Sequence, residues 1–196
     1  MSTSLETIRA AIRHRMLEIA GIGVIHAYER YAAREKEFAE LYMYGQADQP
    51  KRLLGWHIHR VATREFAYSS LQNRVEIDFA IRGWMAIEDA RQTEILMDGL
   101  VEKLRAAWRR DPSFNGIFNA PITDGQPFGL QLVESQPYML GGVLCHGVRL
   151  SFTGGLLLSI EDDPAEWDDF ARFAAEWPTP PTASDLVNLP IQEPEP

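Results

Sequence analysis

Between residues 74 and 84 the chain alternates strictly, with Val75, Ile77, Phe79 and Ile81 set against Glu76, Asp78, Ala80 and Arg82. Successive side chains of an extended strand point to opposite faces, so a period of two predicts a strand with one dry face and one wet face. Such a strand is stable only with hydrogen-bonding neighbours and an apolar layer over its dry side. Residues 53–66 read as the first neighbour, with Leu54, Trp56, Ile58 and Arg60 on one side. The intervening Ser69-Ser70-Leu71-Gln72-Asn73 is rich in turn formers, which makes the two strands antiparallel partners.

Two amphipathic stretches flank these strands. Leu5, Ile8, Ile12, Met16 and Ile19 recur at three- and four-residue steps, a helical stripe with Ser4 or Thr3 as N-cap and Gly21 as a left-handed stop. A strand is expected from residue 24 to about 31, then a polar loop with a short helical piece over residues 32–50. Residues 89–110 predict the second main helix, with Gln92, Leu96, Leu100, Leu104 and Trp108 in one line and Ile95 and Ala107 beside it. Arg105, Arg109 and Arg110 near its end suit the helix dipole, and Asp111-Pro112-Ser113 ends it. Residues 130–136 and 143–153 read as further strands, the latter with Leu144, His146, Val148, Leu150 and Phe152 inward. Residues 156–160 extend it past Gly154-Gly155. Strand runs separated by isolated helices imply an α+β fold, a mostly antiparallel sheet flanked by two main helices.

The charge is confined to one end. Residues 161–196 hold ten acids against the single base Arg172, a net of −9 that equals the charge of the whole chain. The first 160 residues are therefore neutral, which argues against a general nucleic-acid binder with a counterion-displacing basic surface. Six prolines from Pro178 to Pro196 oppose regular structure there. We divide the chain into a body, residues 1–160, and an extended acidic arm, residues 161–196, whose residues 164–177 suggest a short amphipathic helix. No apolar run approaches the ~20 residues that span a bilayer. The opening Met-Ser-Thr-Ser-Leu-Glu-Thr lacks a secretory pattern. Cys145 is the single cysteine, so a reducing cytoplasm is the expected place of folding.

Chemistry-bearing patterns are sparse. His57-x-His59 has metal-like spacing, because strand residues two apart share a face and both imidazoles can meet one ion. Neither a further His nor a Cys cluster completes that set, so two exposed sheet-face histidines are the plainer expectation and no metal or other cofactor is assigned. Gly21-x-Gly23 lacks the third glycine and preceding strand of a dinucleotide loop. A Gly-x-Ser-x-Gly elbow is missing, and Cys145 and His146, adjacent on a strand, face opposite ways. The expectation is a protein without catalytic residues. Tyr28, Arg30, Tyr31 and Arg34 are interface candidates, since Tyr and Arg are favoured anchors. So are Trp167, Phe170, Phe173 and Trp177, large aromatics in an otherwise acidic arm that need a surface to dock on.

Taken together, Gly-Ile-Gly-Val-Ile-His-Ala-Tyr-Glu-Arg-Tyr (21–31), Leu-Leu-Gly-Trp-His-Ile-His-Arg (53–60), Ile-Arg-Gly-Trp-Met-Ala-Ile-Glu-Asp (81–89) and Gly-Val-Leu-Cys-His-Gly-Val-Arg-Leu (142–150) resemble the tail terminator, or tail completion, proteins of tailed bacteriophages. The resemblance covers about residues 5–155. It implies a structural virion protein that forms a homo-oligomeric, hexameric ring on the head-proximal end of the tail tube, stops tube polymerisation and joins the neck. Implied partners are the tube protein, the head–tail connector or neck protein and, in a contractile tail, the sheath. No membrane and no sequence-specific nucleic acid is implied. The implied location is the tail–neck junction of the virion, after assembly in the bacterial host cytoplasm. The rivals are another neck or minor tail protein, a metal-dependent enzyme using His57 and His59, and a small-molecule or peptide binding module.

Overall fold

A computed structural model describes residues 4–30, 35–45, 51–122, 128–140 and 142–159. The element order is α1 (Leu5–Leu17), β1 (Val24–His26), α2 (Glu35–Glu40), β2 (Met43–Tyr44), β3 (Arg52–Ala67), β4 (Gln72–Ala86), α3 (Thr93–Arg110), β5 (Gln131–Leu140) and β6 (Val143–Ser159). The strands form a six-stranded sheet ordered β1-β3-β4-β6-β5, with β2 paired to β3 off this path. β1 runs parallel to β3 and every other pairing is antiparallel. This is an α+β fold with a mostly antiparallel, mixed sheet, and no described helix is long and apolar enough to cross a membrane.

The core lies on one face of the sheet. Val75, Ile77, Phe79 and Ile81 of β4 are all buried, beside Leu54, Trp56 and Ile58 of β3 and Val148, Leu150 and Phe152 of β6. Ile8, Ile12 and Met16 of α1 join the same cluster, as do Met97, Leu100, Val101, Leu104 and Trp108 of α3. The Ser4 side chain accepts from the Thr7 amide at 3.1 Å, the expected N-cap. At their far ends the helices are tied together: Arg15 donates to the carbonyl oxygens of Ala107 and Asp111 and to the Asp111 carboxylate, the last at 2.7 Å.

Several expectations are corrected. The strand expected over 24–31 stops at His26, because the chain bends away from β3 and carries Glu29 over its face. A 3-10 turn, Asp89–Arg91, and a left-handed Gln92 delay the second helix to Thr93. Its buried stripe runs through Thr93, Met97, Leu100, Val101, Leu104, Ala107 and Trp108. At about 100° per residue that stripe excludes Leu96, just past its edge, and Ile95, on the far side; both are exposed. β5 continues beyond the expected 130–136 to Leu140, whereas β6 runs past Gly154-Gly155 to Ser159 as expected, the two glycines leaving room for Phe118 and the Ala120 carbonyl.

The second face is not simply wet. Glu76 is 1% exposed, held between Arg64 and Arg74 at 3.5 and 3.7 Å. Arg64 also grips Asp78 through both carboxylate oxygens at 2.6 and 3.0 Å. Near the start of β6, Cys145 is buried while Leu144 is exposed, reversing the expected inward side there. The reason is a second apolar cluster of Tyr42, Leu53, Leu140 and Cys145 on this face. The arm, residues 161–196, with its aromatic candidates and expected helix, lies outside the described residues, as do Tyr31 and Arg34.

Candidate functional site

His57 and His59 alternate with core-facing Trp56 and Ile58 on β3, so both imidazoles stand on the second face. Their rings stack with centroids 6.2 Å apart and planes 12° from parallel. The short parallel β1 places His26 beside His57, and the bend after it delivers Glu29 across the pair. Glu29 Oε1 lies 3.9 Å from His57 Nε2, and Oε2 lies 4.0 Å from His59 Nδ1. One donor atom from each of the three residues falls within 4.8 Å of the other two. These separations are too long for hydrogen bonds, and both nitrogens are buried without a hydrogen-bond partner.

The surroundings explain the protonation state. His57 is fully buried, with Trp84 against its ring at 5.1 Å and the Tyr42 hydroxyl 3.4 Å from its Nδ1. Burial pushes its pKa down to about 4, against the opposing pull of Glu29 and with the help of His59, Arg82 and His26. The ring is therefore neutral at pH 7, with a lone pair on one nitrogen. His26 is occupied elsewhere: its Nε2 meets the Leu41 carbonyl at 2.9 Å.

The expectation of two exposed histidines fails at His57, and the third donor that the spacing could not supply is Glu29. From the sequence, Tyr28 and Arg30 are interface candidates and Glu29 has no assigned role. Glu29 carries no metal-like spacing to β3, and only the bend after β1 joins them. Tyr28 is exposed, with the Arg30 guanidinium 5.8 Å from its ring centre. Gly21 and Gly23 have φ of +76° and +91°, and a Cβ on Gly23 would come within 2.4 Å of the Leu54 carbonyl oxygen. They allow the close passage of the α1–β1 turn over β3. Burial raises the Cys145 thiol to about 11, so it is no nucleophile at neutral pH.

A second surface went unnoticed in the sequence. β5 is the last strand of the sheet, and no described strand pairs with its outer side. Leu132, Val133, Tyr138 and Met139 on β5, with Val143 and Leu144 where β6 begins, are exposed apolar groups along this edge. A register shift between Leu132 and Glu134 marks a bulge in β5, and Leu132 and Val133 beside it are both exposed. Among known proteins, no family model matches this sequence and no curated protein matches it.

Proposed function

We propose that this protein is a structural virion component of the tail-terminator type, a ring subunit that caps the head-proximal end of a phage tail tube and joins it to the neck. The observation that carries the reading is the pair of sheet edges. A closed ring is built from head-to-tail contacts that join two different patches of one protomer to each other. One end of the sheet offers the β5 edge, unpaired among the described residues and carrying exposed Leu132, Val133, Tyr138 and Met139, and the free N–H and C=O groups of an edge strand are a template for another chain. The other end offers β1 and the residue 27–30 loop with exposed Tyr28 and half-buried Arg30. Two unlike patches at opposite ends of one sheet suit such a ring, and the sequence resemblance supplies its tube and connector partners. Light scattering after size exclusion, with and without tube ends as template, and electron microscopy of tails test the proposal. A ring at the tail–neck junction is expected; a protein monomeric under both conditions and missing from that junction would refute it.

The second reading, a metal-dependent enzyme, is favoured by one observation, the carboxylate of Glu29 beside His57 and His59. A turnover abolished by His59→Ala while particle assembly proceeds would support it over the ring.

A further inference from the structure

We infer that Glu29, His57 and His59 bind one divalent transition-metal ion of the zinc class, which fastens the residue 27–30 loop to β3. The inference does not depend on the ring reading.

Two imidazole nitrogens and a carboxylate form the donor set of many zinc and first-row metal sites, and they suit Zn²⁺, Co²⁺ or Ni²⁺ better than the oxygen-seeking Ca²⁺ and Mg²⁺. Around a tetrahedral ion with bonds of about 2.0–2.1 Å, donors sit roughly 3.3 Å apart. The observed 3.9 and 4.0 Å separations close by an inward movement of the Glu29 side chain, which lies on a loop, together with a turn of the two imidazoles toward each other, their donor atoms lying within 4.8 Å. A three-residue set leaves a coordination position for water, and Glu29 and His59, each about 30% exposed, open the site to solvent.

A buried polar atom without a partner needs an explanation. His57 Nε2 is such an atom, aimed at Glu29 beyond hydrogen-bonding distance. Its other nitrogen faces the Tyr42 hydroxyl. With Nδ1–H donating to that oxygen, the tautomer places the Nε2 lone pair toward the site, the arrangement by which a second partner orients a metal-bound histidine. Among the described residues the opposing cation beside His57 is Arg82, its partner in the β3–β4 register, which lowers affinity without occupying the donors.

The test uses the full chain, stripped by chelator and titrated with Co²⁺ followed by visible absorption, then displaced with Zn²⁺. One ion per chain and a thermal midpoint raised by Zn²⁺ are expected. His59→Ala and Glu29→Ala, both at accessible positions and checked for folding by circular dichroism, should each weaken binding by more than about tenfold. His14→Ala and His146→Ala should leave it unchanged. Zn²⁺ should also slow tryptic cleavage after Arg30. Absence of saturable binding, or binding that survives both substitutions, would overturn the site; cleavage after Arg30 at the same rate with and without Zn²⁺ would overturn the fastening.

Discussion

Replacing Gly83 by alanine tests how the sheet and its core are joined. Gly83 of β4 faces Trp56 across the β3 pairing and Val148 across β6. A Cβ at this position would stand 2.3 Å from Cε3 and Cζ3 of the Trp56 indole. Carbon atoms pack best at about 3.5–4.0 Å, so the methyl group needs more than about 1 Å of movement. The indole cannot easily move, because it is fully buried and its Nε1 donates to the Ile22 carbonyl at 2.7 Å. Overpacking costs about 1–3 kcal/mol, and losing that buried hydrogen bond adds about 1–3 kcal/mol if the ring shifts. Removing glycine from a strand returns roughly 0.5–1 kcal/mol. A net loss of about 2–3 kcal/mol is expected, read from the urea midpoint at constant slope. Trp56→Leu alone should cost a comparable amount through its cavity. In that background Gly83→Ala should be nearly neutral, a coupling of about 2 kcal/mol in the double-mutant cycle. Equal costs of Gly83→Ala in the two backgrounds would refute the reasoning.

Further outcomes follow from other contacts. Hydrogen bonds from Ser113, Arg15 and the Asn115 amide hold the Asp111 carboxyl well below its usual range; because the folded value lies below the unfolded one, this stability is present above about pH 3.8 and disappears as pH falls through the folded value. The stability gap between wild type and Asp111→Asn should therefore close in acid, and a gap that stays constant to pH 2 would contradict it. Cys145 should resist a disulfide-exchange reagent at pH 8 in the native protein and react fully in urea, whereas rapid native labelling would show the thiol is accessible. Deleting residues 161–196 removes all the net charge and should weaken assembly while circular dichroism of the body stays unchanged; unfolding would place the arm in the core. Met139→Asp, on the exposed β5 edge, should reduce oligomer formation without altering the melting midpoint of the monomer by more than about 0.5 kcal/mol equivalent, and unaffected assembly would move the contact elsewhere.

The elements with clean periodicity were legible in the sequence. The alternation around Phe79 and the stripe from Ile8 to Met16 each report burial against a neighbouring layer, and both stripes are in the core. What failed depends on distant chain. The alternation in β4 says that one face is dry but not what covers the other, so Glu76 and His57 were read as wet. Their burial comes from arginines reaching along the sheet and from Tyr42, which lies in a stretch that reads as polar loop. Ile95 and Leu96 were placed inside because a line of residues four apart drifts about 40° per step around the helix, which carries Leu96 past the buried stripe and leaves Ile95 on the far side. Half of the candidate site was legible as His57-x-His59. Glu29 was not, since a bend of the backbone, rather than any spacing, brings it to them.

The pairing of β4 with β6 has a kinetic consequence. β3–β4 and β5–β6 are each joined by a short connection, so each can zip up within microseconds once its turn forms. The seam between them closes over the whole of α3 and the loop that follows it, and the entropy of closing so long a segment must be met before any of its ladder is rewarded. Docking of the two ribbons on α3 is thus the step that topology predicts to be slowest, and a ribbon formed ahead of it would present an open margin to other nascent copies.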